Sequence, residues 1–478
     1  MKRLILIVLV FALLLCACGT QPTAEEPSND KITLWVVTES TNHYGMNDQA
    51  QKLATQFENA HENVTIRLDI LPEFGEERDL YLEQLRTEIM AGKGPDAYLL
   101  PVRPHLGIGE LFSDVTQCMY NGIFSDISKF YDADSELNTD ELQTAVMNAG
   151  MVGDARYVLP LRYDMPVAYV NDSAWDETGL STDLFSSGIT ALWEAELNSG
   201  NGKAAYGSFG SQSFLELLFY AMNLFPDIID YENQEVLLTA EEVSHTLSMY
   251  QQICSLYAQG TDFLFSRIGE YCWERSWIEL GYSVFIDSMS NAMDNAAIAR
   301  KLNLELSMYP LASTDGTVIA DVTYYTAVGS GCNYPELAYE YLRLFLTEEA
   351  QWEDIRRDTS GQSLEGLIER GWPVRAVGGI TKLWNIIKKQ YTGFEYGGTV
   401  AESRRKSIQK IKLTDEDIPV LHAQIDVARF SIATEPELAN LMMSELNDSA
   451  NGFAPRDVNI DALAEEIVQN LAWHISEG

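Results

Sequence analysis

The sequence predicts an α/β fold. Two observations carry that reading. Apolar runs of strand length alternate with runs of helical period, and a glycine–proline stop separates the second helix from the third strand. "ITLWVV", Ile32 to Val37, is a continuous apolar run, as expected of a strand covered on both faces. After the polar loop "TESTNHYG", a helix is predicted from about Asn47, with Ala50, Leu53, Ala54, Phe57 and Ala60 on one stripe. "VTIRLDI" alternates Val64, Ile66, Leu68 and Ile70, the period of a strand. A second helix carries Leu82, Leu85, Ile89 and Met90, and "AYLL" reads as a third strand. Strand, helix, strand, helix, strand implies a parallel sheet with right-handed crossovers.

The stop itself is "EIMAGKGPDAYLLP", Glu88 to Pro101. Gly92 is predicted to cap the helix, and Pro95 prevents it from resuming. A phosphate-binding loop needs the reverse order: strand, glycine-rich loop, helix, with Lys then Ser or Thr. Asp96 is expected to fix the turn below a cleft rather than to touch a ligand.

A second α/β block follows. "ARYVLPLRYDMPVAYVND", Ala155 to Asp172, reads as one or two short strands broken by Pro160 and Pro166. "AAYGSFGSQ" opens the apolar helix "SFLELLFYAMNLF", and "YSVFIDSMSN", Tyr282 to Asn291, is another strand. After "LELSMYPL" and "VIADVTYYTAVGSGC", the run "PELAYEYLRLFLTEEAQ" is a strong helix with Pro335 at its start. The last helix, "NIDALAEEIVQNLAWHISE", has Asn459 or Asp461 near its cap.

With 478 residues, the chain is too long for one core, and two or three domains are expected. Its 71 acidic against 32 basic residues give a net charge of −39, a surface that repels nucleic acid and anionic lipid. The start is different. Lys2 and Arg3 precede an apolar run, Leu4 to Leu15, of signal-peptide length and too short for a membrane span. "LCAC", Leu15 to Cys18, resembles a bacterial lipobox, which implies cleavage after residue 17 and lipid on Cys18; an ordinary secretory signal is the alternative. Each buried CH2 of a lipid chain contributes roughly 0.8 kcal/mol, so two chains anchor stably. The polar tether that follows, Gly19 to Asp30, reaches about 20 Å as a coil. The expected location is extracytoplasmic, on the bacterial cell membrane. Cys118, Cys254, Cys272 and Cys332 remain; four cysteines allow three pairings, and their spacing fits no metal site. They read as buried thiols, with one disulfide allowed.

Several patterns then agree in order. They are "LATQFENAHENVTIRLDI", "LRTEIMAGKGPDAYLL", "GDARYVLPLRYDMPVAYVND" and "YPELAYEYLRLFLTEEAQ", behind a lipobox, a tether and the strand "ITLWVV". Together they resemble the extracellular solute-binding proteins of ABC importers, the maltose-binding-protein-like family 1. The resemblance covers Ile32 to about Gln351 and the last helix. It departs at Asp154-Ala155, where the family has Gly-Lys, and at Asn171-Asp172, where it has Asn-Lys; 352–412 match nothing.

The resemblance implies a two-lobed periplasmic-binding-protein-like fold with a hinge and an interlobe cleft. Lobe 1 is expected over 31–162 and 287–318, and lobe 2 over 163–286 and 319–478. Hinges are expected near Leu161–Met165, Ile286–Ser288 and Asp321–Tyr325. The implied partners are a small solute (a mono- or oligosaccharide) and the permease subunits that receive it. The protein itself is expected to be a monomer, with no cofactor, no metal and no catalytic residue.

Ligand contacts follow from the ends of strands and from the aromatics. Glu39 and Ser40 follow the first strand, where a carboxylate can accept two sugar hydroxyls. Arg103 follows the third strand. Asp164 lies in the first crossover, and Asp287 and Ser288 end a strand at a second. Ser211 and Gln212 precede a helix, whose N–H groups face outward. Tyr163, Trp273, Trp277, Tyr325 and Trp372 are expected stacking platforms, and Trp35 is expected in the core. No H-E-x-x-H or G-x-S-x-G is present, and "DADSELNTDELQ" lacks the Gly and Glu of a calcium loop. The competing readings are a surface glycan-active enzyme and a protein that presents its ligand to a sensor kinase.

Overall fold

The computed structural model describes residues 31–40, 46–102, 109–199, 228–258, 284–288, 305–313, 317–351, 372–374, 428–432 and 459–477. Backbone pairing sorts their strands into two main sheets and two short hairpins. The strands are β1 (Ile32–Thr38), β2 (Val64–Ile70), β3 (Ala97–Pro101), β4 (Met151–Val152), β5 (Ala155–Arg156), β6 (Val158–Asp164), β7 (Pro166–Asn171), β8 (Ile229–Asp230), β9 (Glu235–Val236), β10 (Val284–Ser288), β11 (Leu306–Pro310), β12 (Val318–Val328), β13 (Trp372–Pro373) and β14 (Ala428–Ile432).

The larger sheet has the order β13-β6-β12-β3-β1-β2, with β14 beside β12. β1 is parallel to β2 and β3, as the alternation with helices requires. The helix Asn47–Ala60 buries Ala50, Leu53, Ala54 and Phe57, while Ala60 is exposed at its end. The helix Glu76–Met90 buries Leu82 and Leu85. Its final Met90 is 85% exposed, because the stripe ends before the glycine stop. Trp35 departs from the expectation of a core residue. It is half-buried, it donates to Asp69 Oδ2 (3.1 Å), and the Arg67 guanidinium lies over its ring at 4.3 Å. The reason is register: Trp35 pairs with Arg67 on β2, the outermost strand.

The glycine–proline stretch folds as the sequence predicts. Gly92 has φ +68°, its N–H donates to Ile89 O, and Lys93 N–H donates to Glu88 O. Asp96 then staples β3 to β1, donating its N–H to Trp35 O (2.8 Å) and accepting the Trp35 N–H on its carboxylate (2.8 Å). This is the amino end of β3. Pro160 does not break a strand. It sits inside β6 beside the register shift at Tyr324/Tyr325, where the ladder is already irregular. The late helix is shorter than expected: it spans Pro335–Arg343 and tightens into a 3-10 turn at Leu344–Leu346.

The smaller sheet has the order β10-β7-β11, all antiparallel neighbours. Two apolar cores accompany the sheets. The first includes Leu34, Val36, Tyr98, Leu99, Tyr163, Tyr325, Tyr341 and Phe345. The second includes Ala168, Val170, Trp175, Trp193, Leu247, Val284, Leu463 and Ile467. The last helix, Ile460–Glu477, belongs to the second core, with Asn459 Oδ1 accepting the Ala462 N–H at its start.

The pairing shows which sheet each late strand joins. β10 and β11 both bond to β7 in the smaller sheet, with Met308 of β11 in the first core and Tyr309 against the second. Residues 324–328 bond to β3 and β6, and the helix Pro335–Arg343 packs on the first core, so these join the first unit rather than the second. Strand allegiance is set by backbone pairing at long range, which local sequence blocks do not encode.

At the amino end of the larger sheet, Gly329 donates to Asp96 O (2.9 Å), and a Cβ there would lie 2.3 Å from Pro95 O. The Gly329→Ala variant is expected to lose about 1–3 kcal/mol through this backbone clash, read from the urea unfolding midpoint.

Candidate functional site

The larger sheet gathers several chain ends along one edge. β1, β2 and β3 run parallel and finish at Thr38, Ile70 and Pro101. β12 runs against β3 and β6, with Tyr324 opposite both Pro101 and Arg162. The carboxyl end of β6, at Tyr163 and Asp164, therefore lies on that same edge. β13 adds Trp372 beside Tyr163. Open sheets of this kind bind ligands beyond the carboxyl ends of their strands.

Glu39 and Ser40 stand at this edge and are buried, with Glu39 2% exposed. The Glu39 carboxylate is held by Arg78 in a two-point fork: Nη1 donates to Oε1 (2.9 Å) and Nη2 to Oε2 (2.8 Å). Ser40 N–H also donates to Oε1 (2.8 Å). Arg78 itself is 1% exposed and is satisfied further by Pro72 O (2.7 Å) and Gly109 O (2.8 Å). Glu39 thus anchors the end of β1 to the segment after β2 and to the segment that returns from β3. Arg78 was not expected from the sequence. The signal available was its position: a lone cation in a first turn that otherwise holds Glu76, Glu77 and Asp79 opposes the helix dipole, and it needs a tertiary partner.

Asp164 sits between the two sheets. Its Oδ1 accepts the Met165 N–H (2.8 Å), which shapes the step from β6 into β7. One residue on, Pro166 pairs with Ser288 and Val167 with Asp287, so the backbone brings Asp287 and Ser288 close to this crossover. The chain returns from β11 to the larger sheet at β12, whose 318–322 half bonds to β14 and whose 324–328 half bonds to β3 and β6. Val102 N–H donates to Thr323 O (2.9 Å) at the changeover.

Tyr163 and Tyr325 are each 1% exposed in the first core, so neither ring is open to a ligand in this arrangement. Burial pushes both phenols up, with Asp164 adding to the effect at Tyr163 and Cys118 at Tyr325. Trp372 is placed by its backbone alone. Arg103, Ser211, Gln212, Trp273 and Trp277 lie outside the described residues, as does Cys18. Cys118 and Cys332 are free thiols; burial pushes Cys332 up to about 12 and Cys118 higher, so neither is a thiolate at neutral pH. Among the described residues, no group of His, Cys, Asp and Glu is arranged to hold a metal, and no helix is long and apolar enough to cross a membrane.

No family model matches the chain, and no curated relative does. Solved structures do. A periplasmic oligogalacturonide binding protein from Yersinia enterocolitica superposes with a TM-score of 0.54 at 14% identity, over 93% of this chain and 99% of that one. A de novo designed cysteine esterase gives 0.53 at 14%, over 94% and 99%. An extracellular solute-binding protein family 1 structure from Alicyclobacillus acidocaldarius gives 0.52 at 13%, over 93% and 98%. The chain therefore has the two-lobed α/β fold of the extracellular solute-binding proteins. The smaller sheet lies between the two cores: Ala168, Val170 and Val284 belong to the second, and Val167, Tyr169 and Met308 to the first.

Removing one partner of a buried ion pair strands the other. The Arg78→Ala variant is expected to lose about 3–5 kcal/mol in urea unfolding. A double variant, Glu39→Leu with Arg78→Met, should recover most of that loss, because no charge is then left buried.

Proposed function

We propose that this protein is the substrate-binding lipoprotein of an ABC importer. It captures an extracellular solute, probed first as a carbohydrate, by closure of its two lobes, and passes it to a membrane permease. The observation that carries the reading is the shared edge: the ends of β1, β2, β3 and β6 lie together, and the chain leaves that edge at Asp164 for the smaller sheet. A ligand held there touches both lobes at once. It favours closure by as much as it binds the closed form better than the open one. The oligogalacturonide binding protein of the same fold supports a sugar as the ligand class. So does the choice of residues. With the Glu39 charge neutralised by Arg78, the first-lobe wall suits a neutral or polar ligand better than a strongly cationic one.

Ligand contacts are assigned to Glu39 and Ser40 at the end of β1, to Arg103, and to the crossover at Asp164 with Asp287 and Ser288. Trp372, Trp273, Trp277, Ser211 and Gln212 complete the proposed set, and Tyr163 and Tyr325 support it from the core. The protein acts without covalent chemistry, as a monomer on a lipid at Cys18, outside the cytoplasm. Nucleic acid has no part in this role.

Two measurements test the proposal. The first is thermal unfolding of residues 19–478 against a panel of mono- and oligosaccharides. At a hundredfold excess over the dissociation constant, a true ligand adds about 2.7 kcal/mol and raises the melting temperature by several degrees. A stabilising glycan recovered intact supports a receptor. Steady breakdown of that glycan by the purified protein points to an enzyme instead. The second is fractionation of cells carrying Cys18→Ser. The wild-type chain is expected in the membrane fraction and the variant in the soluble one; a variant that stays with the membrane rules out the lipid anchor.

A further inference from the structure

A polar contact links a hairpin on the second core to a helix of the first. The hairpin β8–β9 belongs to the second lobe: Ile229 is part of the second core, and Tyr231 packs against it. Its tip is rigidly built. Asp230 accepts Asn233 N–H (3.0 Å) and Asn233 Nδ2 (2.8 Å), Gln234 takes φ +55°, and Leu237 N–H closes on Ile228 O (2.7 Å). An Asx-type bond with a left-handed residue fixes such a turn. It presents Tyr231 outward from the second core.

The receiving surface is on the first lobe, at the short helix Val115–Tyr120. Val115 and Met119 are buried in the first core. Asp114, 2% exposed, caps this helix by accepting Gln117 N–H on Oδ1 (2.8 Å). Its other oxygen, Oδ2, accepts the Tyr231 hydroxyl at 2.7 Å. The Tyr120 ring stacks on the Tyr231 ring, with centroids 5.6 Å apart and planes 20° apart. Tyr120 keeps 42% of its surface exposed with the hairpin in place, so the stack covers one face of a rim residue. Burial and the nearby Glu232 and Asp230 carboxylates push the Tyr120 phenol up, which keeps it neutral beside Asp114.

We propose that Tyr231 is an interlobe latch: its bond to Asp114 and its stack on Tyr120 bias the two lobes toward this arrangement without touching the ligand. The seam is small, so it shifts the balance of lobe positions without locking it. A hydrogen bond to a carboxylate is worth on the order of a tenfold change in a two-state population. The inference rests on the two-lobed fold and on these contacts, and it holds whatever the ligand proves to be.

The test uses the ligand-free protein, residues 19–478 with Cys18→Ser, as wild type, Tyr231→Phe and Tyr120→Ala. Tyr231→Phe keeps the ring and removes only the hydroxyl, so the fold is expected to survive; Tyr120→Ala removes the stack and leaves the hydroxyl. Small-angle scattering is expected to show a larger radius of gyration in both variants at an unchanged melting temperature. Hydrogen–deuterium exchange should show segments 114–121 and 228–236 losing protection together, although they belong to different lobes. Unchanged scattering in both variants would overturn the latch. So would loss of protection confined to 228–236, which marks a merely local role for Tyr231.

Discussion

The fork between Glu39 and Arg78 is the constraint on which the candidate site depends. A carboxylate and a guanidinium, each nearly without solvent exposure, are stable together only if every polar atom finds a partner in good geometry. Here they do. Arg78 spends its donors on Glu39, Pro72 and Gly109, and Glu39 accepts from Ser40 as well. Three segments that leave the carboxyl edge of the larger sheet are thereby tied to one helix. A buried pair of this kind adds little net stability over an apolar substitute, but it rejects other arrangements of the same loops. That makes it a device for fixing the shape of this rim.

The rest of the architecture turns on how the chain passes between the lobes. It crosses once between β6 and β7, where only Met165 separates strands of different sheets. It returns to the larger sheet at β12, and the last helix packs again on the second core. Short extended links of this kind can absorb a rotation between packed bodies by small changes in backbone angles. The lobes then meet at the Tyr231 seam as well as at the crossings. A polar, partly exposed contact is easily made and broken, unlike a continuous apolar interface.

Much of the first lobe was legible in the sequence. The strands at Ile32, Val64 and Ala97 and the two helices between them follow from period alone. The Gly92 cap follows from a helix that must end where only glycine is relaxed at positive φ. The site was less legible. Glu39 was readable as a residue at a strand end, but its carboxylate is committed to a residue 39 positions away. Tyr163 and Tyr325 look like platforms by type, yet their strands face the first core. Trp35 looks like core, yet its register sets it against Arg67 on the outermost strand.

The sequence by itself therefore determined the kinds of elements, their order and the caps that delimit them, because these rest on interactions within a few residues. It also determined the acidic surface and the amino-terminal signal pattern, which are matters of composition. Tertiary structure alone decided that 306–310 join one sheet and 324–328 the other, that Arg78 is the counter-ion of Glu39, and that Tyr231 meets Asp114 across 117 positions. Such pairings depend on register and on which surfaces are buried together. Each is fixed only when the whole chain has closed around it.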